Sequence, residues 1–311
     1  MNEPMDVLQL HPIRKSKKQK LLFATDVSGY VEGLGYSMKL ETGRFGCKNL
    51  IMGDPETAKY VVTAHYDTPA SIGLPNFLTP RNPVTYLLYQ FLVVGLYLAL
   101  AFGVGYGVYA LTHMDRLALV AGYITYFGMM GLMLLGPANR HNANDNTSGV
   151  VTVLELAKSL PEENRKGVCF VLFDLEEAGL IGSGAYRKAH KQATDRQIVI
   201  NLDCVGDGDH FLFMPSKKAR KDTALLDTFC RFCSQDGEKT LELPRKGFLA
   251  GSSDHKNFPK GIGVMAFHKA KGIGLYCDRI HTWRDTILDK ENVAFLVPVL
   301  LRILTQSNDN P

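Results

Sequence analysis

The sequence predicts an α/β fold: a mostly parallel central sheet flanked by helices, with a pair of hydrophobic helices inserted into it. Two observations carry this. After residue 146, short apolar runs suited to buried strands alternate with stretches of helical period. Before that, 84–112 and 117–136 contain no Asp, Glu, Lys or Arg, and only His113, Met114, Asp115 and Arg116 separate them. With 311 residues, 46% of them hydrophobic and 21% charged, the chain can bury a substantial core and is too apolar to be disordered. The net charge of +4 comes without a broad basic face, so nucleic acid is not an expected partner.

Residues 1–20 form a polar arm carrying Arg14, Lys15, Lys17, Lys18 and Lys20. This run reads either as a solvated helix start or as a patch drawn to anionic lipid headgroups. The arm lacks the basic-then-apolar pattern and small-residue cleavage site of a signal peptide, which makes a reducing, cytosolic setting the expectation for the main domain. Six cysteines form no dense framework, and the lone Cys230-x-x-Cys233 pair reads as ordinary thiols. A helix is expected over 15–34, then strands over 36–40 and 47–52 around a turn with Gly43 and Gly46. YVVTA at 60–64 fits a buried parallel strand. Beyond the apolar insert, helices are expected at 147–160, 182–190, 224–234 and 291–306, and strands at 168–173, 198–202 and 263–267. The chain thus divides into a basic arm (1–20), a main domain (21–80 and 137–311) and the insert (84–136).

Each apolar stretch has the ~20 residues needed to cross a hydrocarbon layer of ~30 Å. Glycines are frequent in both, and Gly103-x-x-x-Gly107 is a small-residue pair of the kind found where membrane helices pack. Arg81 and Arg140 flank the insert on the main-domain side, which by the positive-inside rule puts that domain in the cytoplasm. The partner implied is a lipid bilayer. The competing readings are a hairpin buried in the soluble core or a dimer interface, or a lid along a substrate channel.

Chemistry-bearing residues collect where the strands end. YVVTA runs into His65-Tyr66-Asp67, VCFVLF into Asp174-Leu175-Glu176-Glu177, and IVINL into Asp203. His281 follows the last strand, and Asn144-Asp145-Asn146 precedes a helix. Ligands of open parallel sheets bind beyond the carboxyl ends of the strands. Imidazole and carboxylate without thiolate suit zinc, and also cobalt or manganese. So many carboxylates fit two ions sharing one of them better than one tetrahedral ion.

With these residues in view the sequence resembles the M28 family of metallopeptidases, which includes co-catalytic zinc aminopeptidases. The matching stretches are Ala64-His65-Tyr66-Asp67-Thr68, Asn144-Asp145-Asn146-Thr147-Ser148-Gly149, the run from Phe173 to Ser183, Asn201-Leu202-Asp203, Ser253-Asp254-His255 and His281-Thr282. They occur in the family's order over roughly 20–80 and 137–305; the insert between is a departure. The resemblance implies a zinc-exopeptidase-like three-layer sandwich with two zinc ions. Asp145 would bridge them, His65 and Asp203 would complete one site, and Glu177 and His281 the other. Glu176 would be the general base acting on the bridging water, and Asp67 would orient His65. Asp254 and His255 would lie near a peptide substrate, while Tyr276 and Arg279 are placed in the loop before His281. Cys204 is read as packing and His141 as a surface residue.

The activity this implies is removal of a residue from a peptide terminus, first as an aminopeptidase. The alternatives are a single-zinc glutaminyl cyclase of the same scaffold, a carboxypeptidase, and a receptor that has lost its chemistry. The full ligand set argues against the last.

Overall fold

The computed structural model describes residues 1–306 except 72, 75, 248 and 252. The domain reading 137–311 therefore ends in five residues that lie outside the described ones. A short helix α1 (Val7–Leu10) opens the chain, and α2 (Lys17–Gly33) follows. Ser16 caps α2 by accepting from the Gln19 backbone, and the Gln19 side chain accepts from the Ser16 backbone. Next come β1 (Met38–Thr42), β2 (Lys48–Met52) and β3 (Tyr60–His65), then α3 (Pro83–Thr112) and α4 (Asp115–Leu135). The chain continues through α5 (Gly149–Ser159), β4 (Val168–Phe173), α6 (Ile181–Ala189), α7 (Lys191–Arg196), β5 (Ile198–Leu202), β6 (His210–Pro215) and α8 (Thr223–Cys230). It closes with β7 (Ser234–Asp236), β8 (Lys239–Glu242), β9 (Gly261–Ala270), β10 (Gly274–Tyr276) and α9 (Lys290–Thr305).

The strands lie in the order β1-β2-β4-β3-β5-β9-β6-β8-β7, with β10 paired to β9. The middle of the sheet, β4-β3-β5-β9, is parallel, as the βα alternation predicts. Antiparallel pairs flank it at β1-β2-β4, β9-β6 and β8-β7. Every residue of β3 and β4 is buried, because helices cover both faces. Phe23, Val27 and Val31 of α2, with the apolar faces of α5 and α9, pack on the side of Val62, Ala64, Phe170 and Leu172. Tyr186 of α6 and Phe258 pack on the other side, against Val61, Val171 and Phe173. Each such buried aliphatic or aromatic side chain contributes roughly 1.5–3 kcal/mol.

Three expectations are corrected. The helix foreseen over 224–234 stops at Cys230, and the chain turns back through β7 and β8. The basic run is not one solvated patch: Arg14 and Lys20 are buried, and Lys20 pairs with Asp174, while Lys17 and Lys18 remain exposed. Gly103 and Gly107 face open space, whereas Gly105 and Gly122 form the crossing of α3 and α4, each within reach of a backbone carbonyl of the other helix. The hairpin stands away from the sandwich, with only 11% of the most apolar stretch of α3 and none of that of α4 buried. A place in the protein's own soluble core is thereby excluded.

Candidate metal centre

Parallel pairing brings the carboxyl ends of β3, β4, β5 and β9 to one edge of the sheet. His65 is the last residue of β3, Glu176 and Glu177 follow β4, and Asp203 follows β5. Leu175, Cys204 and His281 hold positive φ angles of 56°, 54° and 61° without being glycine. Such left-handed residues are uncommon and concentrate where the fold over-determines them. Here each turns the chain at a carboxylate or imidazole of the cluster.

Asp145 comes from the tight segment Ala143–Ser148 ahead of α5, and its peptide to Asn146 is cis. Asn146 ties this segment to the end of β5: its side chain donates to the Leu202 carbonyl at 2.9 Å and accepts from the Gly149 and Cys204 amides. Asp285 accepts from the Asn144 and Asp145 amides at 2.7 and 3.0 Å. Beneath it all, Arg14 donates to the carbonyls of Tyr66 and His11 at 2.6 Å and to the Thr147 hydroxyl at 3.1 Å.

The two oxygens of Asp145 face different imidazoles. Oδ1 lies 3.2 Å from His65 Nε2, and Oδ2 lies 2.9 Å from His281 Nε2. Asp203 Oδ1 is 3.6 Å from the same nitrogen of His65, and Glu177 Oε2 is 3.5 Å from that of His281. His65, Asp145 and Asp203 thus form one group of potential ligand atoms within 4.8 Å of one another, and Asp145, Glu177 and His281 another. Glu176 joins His65 and Glu177 in a third such group.

Asp67 stands against the His65 ring and has a second set of partners. Its Oδ1 is 3.4 Å from His65 Nδ1, an ion-pair approach that falls short of hydrogen-bond geometry. Its hydrogen bonds come from the Glu176 and Glu177 amides, at 3.0 and 3.2 Å, so it also fixes the turn carrying both glutamates. Ser253 donates to Asp203 and itself accepts from Asn201 at 2.7 Å, while Thr63 donates to Asn201 at 2.8 Å. The Cys204 thiol lies 3.2 Å from Asp203 Oδ1, so it contributes a weak donor as well as packing.

Charge is heavily concentrated here. Burial pushes Glu177 up to about 8 and Glu176 well above the usual carboxyl range, with His65 opposing and neighbouring carboxylates reinforcing the shift of Glu176. Burial opposes protonation of His281, but Glu177 and Asp145 outweigh it and bring it to about 9. His65 moves the same way, with burial overcome by Asp145, Asp203 and Asp67. Burial thus disfavours the charged form of Glu176 and Glu177, while the surrounding carboxylates favour the charged form of His65 and His281. Glu177 Oε1 is buried with no hydrogen-bond partner among the described residues. A donor set of oxygen and imidazole nitrogen, crowded like charges and an orphaned carboxylate oxygen together fit divalent cations.

The cluster floors a cleft of about 240 Å³. Ser253 and His255 line it, whereas Asp254, which opens the 3-10 turn Asp254–Asn257, is buried and does not line it, and neither of its oxygens has a hydrogen-bond partner among the described residues. Burial pushes His255 down to about 3, so its ring is neutral; a Cβ on Gly263 would come within 2.7 Å of it. Arg279 and Tyr276 do not reach the cleft: Arg279 binds Asp207, Tyr276 lies beside His268, and Ile280 takes the wall position. His141 is exposed, as expected. Sequence reasoning missed Asp285, Arg14 and the wall formed by Phe77, Leu78, Tyr86 and Gln90. An Asp four residues beyond a candidate ligand His was the available signal for Asp285.

The family model described as Peptidase family M28 matches residues 108–294 of the 311. A 69-residue stretch is 41% identical to aminopeptidase YwaD of Bacillus subtilis, covering 21% of this chain and only 15% of that protein. Among solved structures, a glutaminyl cyclase of Porphyromonas gingivalis superposes with a TM-score of 0.62 at 18% identity, over 96% of this chain and 94% of that one. A Zn-dependent exopeptidase of Parabacteroides distasonis gives 0.61 at 14% identity, over 97% and 95%. The LapA aminopeptidase of Legionella pneumophila gives 0.59 at 14% identity, over 97% and 67%. At these identities the structural likeness establishes the fold, a sheet layered between helices.

Proposed function

The chain belongs to peptidase family M28, and from that premise we propose that it is a zinc-dependent exopeptidase with two metal ions, acting as an aminopeptidase. The observation that carries this reading is Asp145, whose two oxygens each face a different imidazole. His65, Asp145 and Asp203 would hold one ion, and Asp145, Glu177 and His281 the other. Zinc bound there would acidify a water and polarise the scissile carbonyl.

The chain's own part is proton handling and orientation. Glu176 accepts the proton of the attacking water and passes it to the leaving nitrogen; its raised proton affinity brings it closer to neutrality, where such a shuttle works. Asp67 keeps Glu176 and Glu177 in place through their amides. Among the described residues lining the cleft there is no Lys or Arg, which disfavours docking a terminal carboxylate and favours a terminal amine.

Glu176→Gln should retain two zinc ions per chain by elemental analysis and lose about 10²–10⁴-fold in turnover of aminoacyl peptides. Full activity in that variant, or one ion per chain in the wild type, overturns the mechanism. Cyclisation of a Gln-initiated peptide without hydrolysis of the others would favour a cyclase.

The hairpin supports attachment to a bilayer, with the catalytic domain on the cytoplasmic side. At about 1.5 Å per residue α4 spans about 31 Å, matching a hydrocarbon layer. Basic groups gather at its foot: Arg81, Arg140 and Lys15, whose ammonium reaches the Leu134 carbonyl at 3.4 Å. Trp283 is 75% exposed beside Thr282, whose carbonyl accepts from Asn139 just after α4. An indole there suits the headgroup boundary.

A further inference from the structure

The apolar helix α3 carries one side-chain amide, Gln90. Its height in the hairpin follows from the helix crossing. Gly105 packs on Ala118 and Gly122, and Gly122 on Ala101, so counting back along the antiparallel pair sets Leu135, the last residue of α4, level with residues 88–92. Gln90 therefore sits where the charge-free stretch of α4 ends. A carboxamide turned to lipid at that height leaves donors and an acceptor unpaired, a cost polar side chains on membrane helices avoid by facing protein or a water-filled cavity. Gln90 does the latter: it lines the same cleft as His65, Glu176 and His281. Its amide makes no hydrogen bond among the described residues, so both its donor and its acceptor are available there.

We propose that Gln90 is a substrate-binding residue, pairing its carboxamide with a backbone peptide group of the substrate. Phe77 and Leu78, on the same wall, receive an apolar side chain next to it. The substrate class this selects is an apolar peptide that extends along the cleft from the metal cluster to the wall supplied by α3. The hairpin is then part of the binding pocket as well as a means of attachment. This assignment rests on the exopeptidase reading above.

The test uses the zinc-loaded full chain in detergent micelles. The probe for calorimetric titration is Leu-Ala-Ala with its first peptide carbonyl reduced to a methylene. Gln90→Leu, which suits an apolar helix, should weaken binding about tenfold, the loss of one buried hydrogen bond. In turnover of Leu-Ala-Ala, KM should rise by a similar factor while kcat stays within about twofold, the signature of lost uniform binding. Zinc content should not change. Binding by Gln90→Leu equal to that of the wild type would overturn the assignment and leave the hydrolase standing. A wild type that binds the probe but cleaves no peptide would overturn the hydrolase and leave Gln90 in place. Should Gln90→Leu fail to fold, Gln90→Asn keeps the amide but draws it back by one methylene; it should show the same KM-directed loss, and wild-type binding in that variant counts equally against the proposal.

Discussion

At the scale of single residues, the cluster is supported by groups that sit far from it in sequence. Arg14 is wholly buried under His65 and Asp145, satisfying two carbonyls and a hydroxyl. Nothing in a run of basic letters separates the one that folds inward from those left in solvent, because two of its three acceptors, the Tyr66 carbonyl and the Thr147 hydroxyl, lie over fifty residues away. His65, Glu176, Glu177 and Asp203 were legible for the opposite reason: each stands at the end of a strand whose apolar run is visible locally, whereas Asp145 precedes a helix and His281 lies in a loop. A pH-sensitive group lies outside the cluster. Asp207 accepts from His268 at 2.9 Å and from Arg279, and the bond to Asp207 raises the imidazole's affinity for protons against the opposing effect of burial. A raised folded-state value means stabilisation that is complete below the ordinary imidazole range and fades as pH climbs through the raised value. His268→Gln should therefore cost more at about pH 6 than at about pH 9, by at most about 1 kcal/mol for this partly exposed pair. Urea unfolding at the two pH values checks it, and an equal cost at both removes the ion pair from the account.

At the scale of elements, the long periodic helices and the buried parallel strands were readable, and the short antiparallel edge was not. β7 has three residues and β8 four, too few to show an alternating pattern, and they follow directly on an amphipathic helix whose period masks their start. The contact face of the hairpin was also hidden. A small-residue spacing identifies candidates, but the crossing point depends on how α3 and α4 meet, and that selected Gly105 and Gly122 over Gly103 and Gly107. Gly105→Leu should force the helices apart at a cost of about 1–3 kcal/mol, whereas Gly103→Leu should cost nothing measurable. Thermal unfolding of the two variants in the same detergent distinguishes them; equal midpoints would place the crossing elsewhere.

For the whole molecule, the decisive fact is that a metallopeptidase sandwich and an apolar hairpin share a cleft. The hairpin's existence was evident from its charge-free composition, and a lid along a substrate channel was among its readings, but the residues that form the wall were not evident, since only the three-dimensional path brings Tyr86 and Gln90 to the cleft that His65 lines. Membranes from cells expressing the full chain should release it into detergent and not into high salt or alkaline carbonate. Recovery in the soluble fraction without detergent would reassign the hairpin to a protein–protein interface.

The insertion divides the cluster in time as well as in sequence. His65 leaves the ribosome ahead of the hairpin, and Asp145, Glu177, Asp203 and His281 leave after it. No nascent chain can complete this cluster until both α3 and α4 have been made. A chain broken off within the hairpin keeps one imidazole of the cluster and none of the carboxylates that would share a cation with it.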